Sequence, residues 1–356
     1  MSREQGAGAS VRLGRQAGLG RFGRRGLGLL AAVAVGALGC TAGCAPGHPA
    51  GAPAAASAAA ASTGPGRVPA RSLPAPALVP GSQLTGPAAF EGPVRRLPVN
   101  GIEVGYRQFG AGPDLVMVMG DTTAMSLWTV DLLTRLARHF RVTIFDNRGV
   151  GYSTENPAQP MTIPLMADDT AGLIRALGLV APILLGWSMG GEIGLTVVTR
   201  HPGLLSRLIT SGADAGGPRT VQADPRVQRV LEDPDTTPAQ VLDLLFPALA
   251  AAAKRGFIGQ YVLVPQQAAS PRVLREQNAA ERAFAADERT WAALPAIRIP
   301  VLVTDGAEDV VVPPANATML TARIPGATLD LVEGAGHGMP FQDAAGFAAT
   351  VVAFSR

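Results

Sequence analysis

Residues 183–191 read Ile183-Leu184-Leu185-Gly186-Trp187-Ser188-Met189-Gly190-Gly191. A short apolar run, 183–185, leads through a glycine-flanked serine into a segment with helical spacing over 192–200. Strand, sharp turn and helix are the context that separates a meaningful Gly-x-Ser-x-Gly from a chance match. Such a turn brings strand and helix so close that a Cβ at Gly186 or Gly190 would collide with its neighbours. The helix starting behind Ser188 directs backbone N–H groups and a positive dipole at negative charge developing beside the hydroxyl. Ser188 is the candidate nucleophile.

A serine hydroxyl needs a base within hydrogen-bond reach, and the chain offers four histidines. His48 falls in an Ala/Pro/Gly-rich stretch. His139, in Arg138-His139-Phe140-Arg141, and His201, before Pro202, both end amphipathic segments, where a cationic group suits the helix C-terminus. His337 lies in Gly334-Ala335-Gly336-His337-Gly338, just after an apolar run at 329–332. A loop at a strand end can swing a side chain over the sheet, so His337 is the candidate base. The base needs a carboxylate to fix its tautomer and stabilise the imidazolium. Asp309, three residues beyond the turn glycine of Asp305-Gly306-Ala307-Glu308-Asp309, is the candidate acid, with Asp214 as its rival and Asp305 shaping the turn.

Around these residues the pattern alternates strand and helix. Two segments, 94–98 and 102–108, flank Asn100-Gly101, a strong hairpin signal. Unbroken apolar runs follow at 115–119, 142–145, 183–185, 208–210, 301–304 and 329–332. Runs without period-2 alternation suit a parallel sheet covered on both faces. Amphipathic segments at 130–138, 166–177 and 192–200 separate them. The expected fold is therefore α/β, a doubly wound, mostly parallel sheet with an antiparallel start. From about 215 to 291 strand signals give way to helical spacing at 227–231, 241–245 and 273–284, which reads as an inserted helical cap.

Residues 90–356 resemble the α/β-hydrolase superfamily. The order Ser188, Asp309, His337 matches that family's chain order, and Asp146-Asn147-Arg148-Gly149-Val150-Gly151-Tyr152-Ser153 resembles its loop after the fourth strand. Where the family usually carries His-Gly after its third strand, this chain has Met119-Gly120-Asp121. The resemblance implies oxyanion donors at the backbone N–H groups of Asp121 and Met189, with the Asp121 side chain turned away, protonated or paired. Ser188-Met189-Gly190-Gly191 is similar to the elbow of small esterases, lactonases and haloperoxidase-like enzymes. The implied chemistry is two-step acyl transfer on a small-molecule ester or lactone. The same three residues also serve amide or peptide cleavage, C–C hydrolysis or acyl transfer. A protein of another class, a non-catalytic ligand binder, also occurs on such a fold. No metal cluster, phosphate loop or dinucleotide fingerprint occurs in 90–356, so no cofactor and no metal is expected. Leu244, Leu245, Phe246, Phe257 and Tyr261 give the cap an apolar character that suits a small to medium hydrophobic substrate.

The chain has 356 residues with a formal charge of +3. Six Arg and one Glu fall in residues 1–39, leaving 24 basic and 26 acidic groups, so nucleic acid is not an expected partner. Residues 1–44 read as an export signal. Arg24-Arg25 resembles a twin-arginine pair, an apolar run of signal-core length follows, and Cys40 and Cys44 each sit after small residues as in a lipobox. Signal cleavage, lipidation of either Cys and an uncleaved anchor all remain open, and each puts the rest of the chain outside the cytoplasm. Residues 45–89, mostly Ala, Pro, Gly and Ser, read as a flexible tether. The remaining sequence contains no Cys, hence no disulfide and no thiol nucleophile.

Overall fold

The apolar runs line up as the centre of one sheet. The structure, a computed structural model, describes residues 71–72, 94–233, 235–262 and 269–356. Among these the strands are β1 (Arg71–Ser72), β2 (Arg95–Val99), β3 (Ile102–Gly110), β4 (Asp114–Val118), β5 (Arg141–Phe145), β6 (Ile183–Trp187), β7 (Arg207–Ser211), β8 (Val301–Gly306) and β9 (Thr328–Glu333). Their order across the sheet is β1-β9-β8-β7-β6-β4-β5-β3-β2. Pairing is antiparallel for β2 with β3 and β3 with β5, and parallel elsewhere. Asn100 and Gly101, at φ 47° and 78°, make the hairpin turn, as two-residue loops of this kind demand.

Three helices precede the cap: α1 (Val130–Ala137), α2 (Ile163–Ala176) and α3 (Met189–Arg200). Between β7 and β8 come α4 (Pro225–Glu232), α5 (Pro238–Leu245), α6 (Ala251–Tyr261), α7 (Pro271–Ala285) and α8 (Arg289–Ala293). The chain closes with α9 (Ala315–Arg323), α10 (Met339–Gln342) and α11 (Ala344–Phe354). Successive strand residues feed opposite cores. Val116, Val118, Leu184, Leu208, Val301 and Val303 pack with α2, α3 and α9 on one face. Leu115, Met117, Leu185, Ile209 and Leu302 pack with α1 and α11 on the other. Hence the runs are unbroken: in β4, Leu115, Val116, Met117 and Val118 are all 0% exposed.

Helix α2 begins earlier than its apolar spacing indicates, because the Thr162 side chain accepts the Leu165 N–H and a proline occupies the first turn. Helix α6 has no counterpart in the sequence reading. Its Ala- and Gly-rich turns bury only Phe257 and Tyr261, too little for an amphipathic signature. Within the stretch expected to be a tether, Arg71 and Ser72 pair in parallel with Val332 and Glu333. An open sheet edge offers backbone partners whatever the side chains are, and composition cannot report that. Residues 1–44, with Arg24, Arg25, Cys40 and Cys44, lie outside the described residues, as do His48 and Phe90. No helix among the described residues is long and apolar enough to cross a membrane.

The loop after β5 carries a buried polar cluster. Arg148 and Asp169 of α2 form a two-pronged ion pair at 2.6 and 2.8 Å, both side chains almost wholly buried. Asn100 of the hairpin turn adds a third contact to Asp169 at 3.1 Å. Removing one partner of such a pair strands a charge away from water. Arg148→Ala is expected to destabilise the fold by about 3–5 kcal/mol, read as a lower denaturation midpoint. Arg148→Ala combined with Asp169→Ala should cost less than Arg148→Ala alone.

Candidate active site

Ser188 stands at the strand–helix junction with φ 56° and ψ −128°, a conformation few non-glycine residues adopt. Its surroundings enforce it. The Ser188 N–H donates to the Ser211 carbonyl at 2.8 Å, and its own carbonyl accepts the Gly191 N–H at 2.7 Å. A Cβ at Gly186 would sit inside the Gly190 carbonyl, and one at Gly190 inside that of Val118. The elbow therefore keeps its glycines for the expected reason.

His337 arrives from the loop between β9 and α10. Its Nε2 lies 2.9 Å from Ser188 Oγ and its Nδ1 2.6 Å from Asp309 Oδ2. The other Asp309 oxygen accepts the N–H groups of Val311 and Val312 at 2.7 and 2.9 Å, which locks the carboxylate in place. Asp214 does not make this contact: its Oδ1 accepts the Gly216 N–H at 2.7 Å and the Thr220 hydroxyl at 3.3 Å. The choice left open between the two acids thus falls to Asp309. Asp305 accepts the Gly306 N–H at 2.8 Å, in keeping with a turn-shaping role. Burial, and next the Asp309 charge beside it, hold its carboxyl well above the usual range. The other described histidines stay apart: His139 is exposed, and His201 contacts Asp168 at 2.8 Å.

Two positioning groups carry no sequence signature. Trp187 Nε1 donates to the His337 carbonyl at 2.9 Å and anchors the histidine loop to the elbow. Gly212, at φ 58°, runs past the His–Asp pair so closely that a Cβ would lie 2.9 Å from His337 Nδ1. Trp187 closes β6 and Gly212 follows β7, and both meet the histidine loop only in the folded chain.

The turn Met119-Gly120-Asp121 packs against the serine; a Cβ at Gly120 would stand 3.1 Å from Ser188 Cβ. Asn147 Nδ2 donates to the Met119 carbonyl at 3.1 Å, and Asp146 accepts the Met125 N–H at 2.6 Å and the Tyr152 N–H at 2.8 Å. The loop after β5 thereby braces the turn. Among the described residues, neither the Asp121 nor the Met189 backbone N–H has a protein partner.

A cavity of about 450 Å³ opens over Ser188 and His337. Of the five apolar cap residues singled out in the sequence, only Leu245 lines it. Phe246, Phe257 and Tyr261 turn inward, and Phe246 and Phe257 join a ring chain that reaches Trp187 through Phe341. The cavity wall is instead mixed, with Val241, Leu245, Leu274, Phe284, Val311 and Val312 facing polar groups that include Asp121. Asp121 Oδ1 is enclosed and unpartnered, and burial pushes the carboxyl up from 3.8 to about 7.

A carboxyl raised by folding binds its proton more tightly in the native state, so it favours folding below its unfolded value and loses that contribution as pH rises through the native one. For Asp121 the window runs from about pH 4 to about pH 7. Stability of the native protein should decline across this window by more than that of Asp121→Asn, which carries no titrating group there. Parallel denaturation profiles for the two proteins over the window would contradict this.

Residues 115–344 match the family described as alpha/beta hydrolase fold. A putative carbamate hydrolase of Caulobacter sp. (strain K31) is 29% identical over 267 residues, covering 70% of this chain and 94% of that protein. The enol-lactonase from Burkholderia xenovorans LB400 superposes with a TM-score of 0.59 at 27% identity, over 73% of this chain and 99% of that one. The esterase RhEst1 from Rhodococcus sp. ECU1013 does so with a TM-score of 0.61 at 25% identity, over 73% and 98%. With a match that runs from β4 to α11 and includes Ser188, Asp309 and His337, the chain belongs to the alpha/beta hydrolase fold family.

Proposed function

We propose that the protein is a serine hydrolase that cleaves carboxylic esters or lactones through an acyl-enzyme on Ser188. The observation that carries this reading is the continuous contact from Asp309 through His337 to Ser188, at 2.6 and 2.9 Å, at the floor of an open cavity. The esterase and enol-lactonase among the structural relatives favour oxygen esters as the bond cleaved.

Ser188 Oγ attacks the substrate carbonyl carbon while its proton passes to His337 Nε2. The carbonyl oxygen, now negative, takes the free N–H groups of Asp121 and Met189, whose fixed positions cost no rearrangement as charge develops. The C–O bond to the leaving alcohol breaks as His337 returns the proton to it. Water then attacks the acyl-enzyme, gives a proton to His337, and releases the carboxylic acid as Ser188 recovers its own. Asp309 remains ionised and holds the imidazole throughout. The apolar side of the cavity accepts a small to medium hydrophobic group. No cofactor enters the scheme.

Labelling with a fluorophosphonate probe tests the nucleophile directly. Native protein should be labelled and should hydrolyse 4-nitrophenyl butyrate, and Ser188→Ala should lose both, with turnover down by several orders of magnitude. Residual turnover above about a tenth would overturn the Ser188 assignment. Asp309→Asn should lower turnover by on the order of 10⁴, because an amide supports neither the tautomer nor the imidazolium.

We further infer from residues 24–44 that the hydrolase is exported and held at the outer face of the cytoplasmic membrane. An acyl chain gains about 0.8 kcal/mol per buried CH₂, so the two chains of a lipidated Cys suffice for stable anchoring. Protein expressed in a bacterium should partition with membranes, and changing both Cys40 and Cys44 to Ser should release it. Membrane retention of that double variant would point to an uncleaved anchor, and a wholly soluble native protein would rule out lipidation.

A further inference from the structure

We propose that the cavity over Ser188 receives a protonated amine, carried by the substrate and held between the carboxyl groups of Glu192, Asp214 and Glu281, with Asp121 beside them. The link to the substrate rests on the ester-hydrolase reading; the recognition of an ammonium group does not.

These four acids come from four separate parts of the fold and converge on one cavity. Asp121 follows β4, Glu192 sits on α3 one turn beyond the nucleophile, Asp214 follows β7, and Glu281 descends from cap helix α7. They lie within electrostatic reach of one another: Glu192 feels Asp214, Glu281 and Asp121, and Glu281 feels Asp121 and Asp214. The cavity does not supply matching cations. Among the described residues Arg282 is the one Lys or Arg in its wall; that largely exposed guanidinium faces Glu232 at 3.9 Å and its charge also acts on Glu281.

An acidic cluster alone could be a hydrated surface, but Glu192 is not on the surface. It is 8% exposed, it lines the cavity, and its Oε2 has no hydrogen-bond partner. Asp121 Oδ1 is likewise enclosed and unmatched. Buried acceptors without donors are rare because each costs its lost hydration. Asp214, by contrast, is already oriented by Gly216 and Thr220. These acceptors suit a compact group with several donors and a positive charge, and an ammonium has three donors and no acceptor.

Its hydrogen bonds, at about 2.9 Å, tolerate a looser cage than metal coordination. No group of acids, histidines or cysteines among the described residues is arranged to hold a metal ion. Burial first and the neighbouring acids second raise the proton affinity of Glu192 and Glu281 well above the usual carboxylate range, with Arg282 acting against this on Glu281. An ammonium between them favours their ionised forms, so its binding should release protons. The same cavity holds Ser188 and His337, so the amine would select which ester is presented to the serine.

The test compares two probes of the same shape on the full chain: 3-phenylpropylammonium and 3-phenylpropan-1-ol, titrated calorimetrically at neutral pH in buffers of different ionisation enthalpy. The ammonium should bind at least about ten-fold more tightly than the alcohol, as a few charge-assisted hydrogen bonds provide. Its binding should release protons, and it should protect Ser188 from the fluorophosphonate probe. In Glu192→Gln and in Glu281→Gln the preference should fall towards one. Equal affinity in the native protein, a preference that survives both substitutions, or binding without protection of Ser188 would overturn the proposal. The native comparison stands even if a variant fails to fold. A protein that prefers the ammonium but resists the probe refutes the ester reading alone. One that is labelled but shows no preference refutes this proposal alone.

Discussion

The rest of the site depends on one strained residue. Ser188 sits at positive φ, at a cost of about 1–3 kcal/mol, and it does so because strand, elbow and helix approach more closely than side chains allow. Gly186 and Gly190 have carbonyl groups where a Cβ would go, and the Met119–Asp121 turn fits under Ser188 because residue 120 is glycine. Once the elbow is fixed, the serine hydroxyl stands within reach of His337 at the mouth of the cavity. The ion pair of Arg148 with Asp169, and the ties from Asp146 and Asn147, brace that turn from behind. Stability is concentrated in the shell so that strain can persist at the centre.

Much of this was legible in the sequence where physics acts locally. Unbroken apolar runs announce strands buried on both faces, and Asn100-Gly101 announces its turn. Residues 186–190 announce their junction because only glycine fits. Elimination among four histidines led to His337 because the others have ordinary helix-end or tether surroundings. Legibility ended where a role depends on what arrives from elsewhere in the chain. Asp309 and Asp214 both follow strands, and spacing favoured the first without excluding the second; the turn at Gly306 aims Asp309 at His337, while Gly216 and Thr220 engage Asp214. Trp187, Gly212 and the β1 pairing at the sheet edge are likewise contacts between distant segments. Helix α6 left no trace because it buries so little.

The cap shows how a correct composition can mislead about a cavity. Its aromatic residues were read as a hydrophobic binding surface. They form instead a packed column from Phe257 through Phe341 to Trp187 that supports the histidine loop from beneath. The surface left over the serine mixes apolar side chains with neutral polar ones and a cluster of acids. The unexpected Asp121 belongs to that cluster, and burial raises its proton affinity above that of an ordinary carboxyl.

The close pass of Gly212 beside His337 bears on how a hydrolase and a passive receptor differ on this scaffold. The cavity, its acidic side and its apolar side are built by groups other than residue 212. A methyl there would press on Nδ1 and on the Asp309 oxygen that faces it, from a backbone conformation that side chains rarely adopt. On the reading of Ser188 as nucleophile, a single carbon atom at this position bears on turnover before it bears on capture.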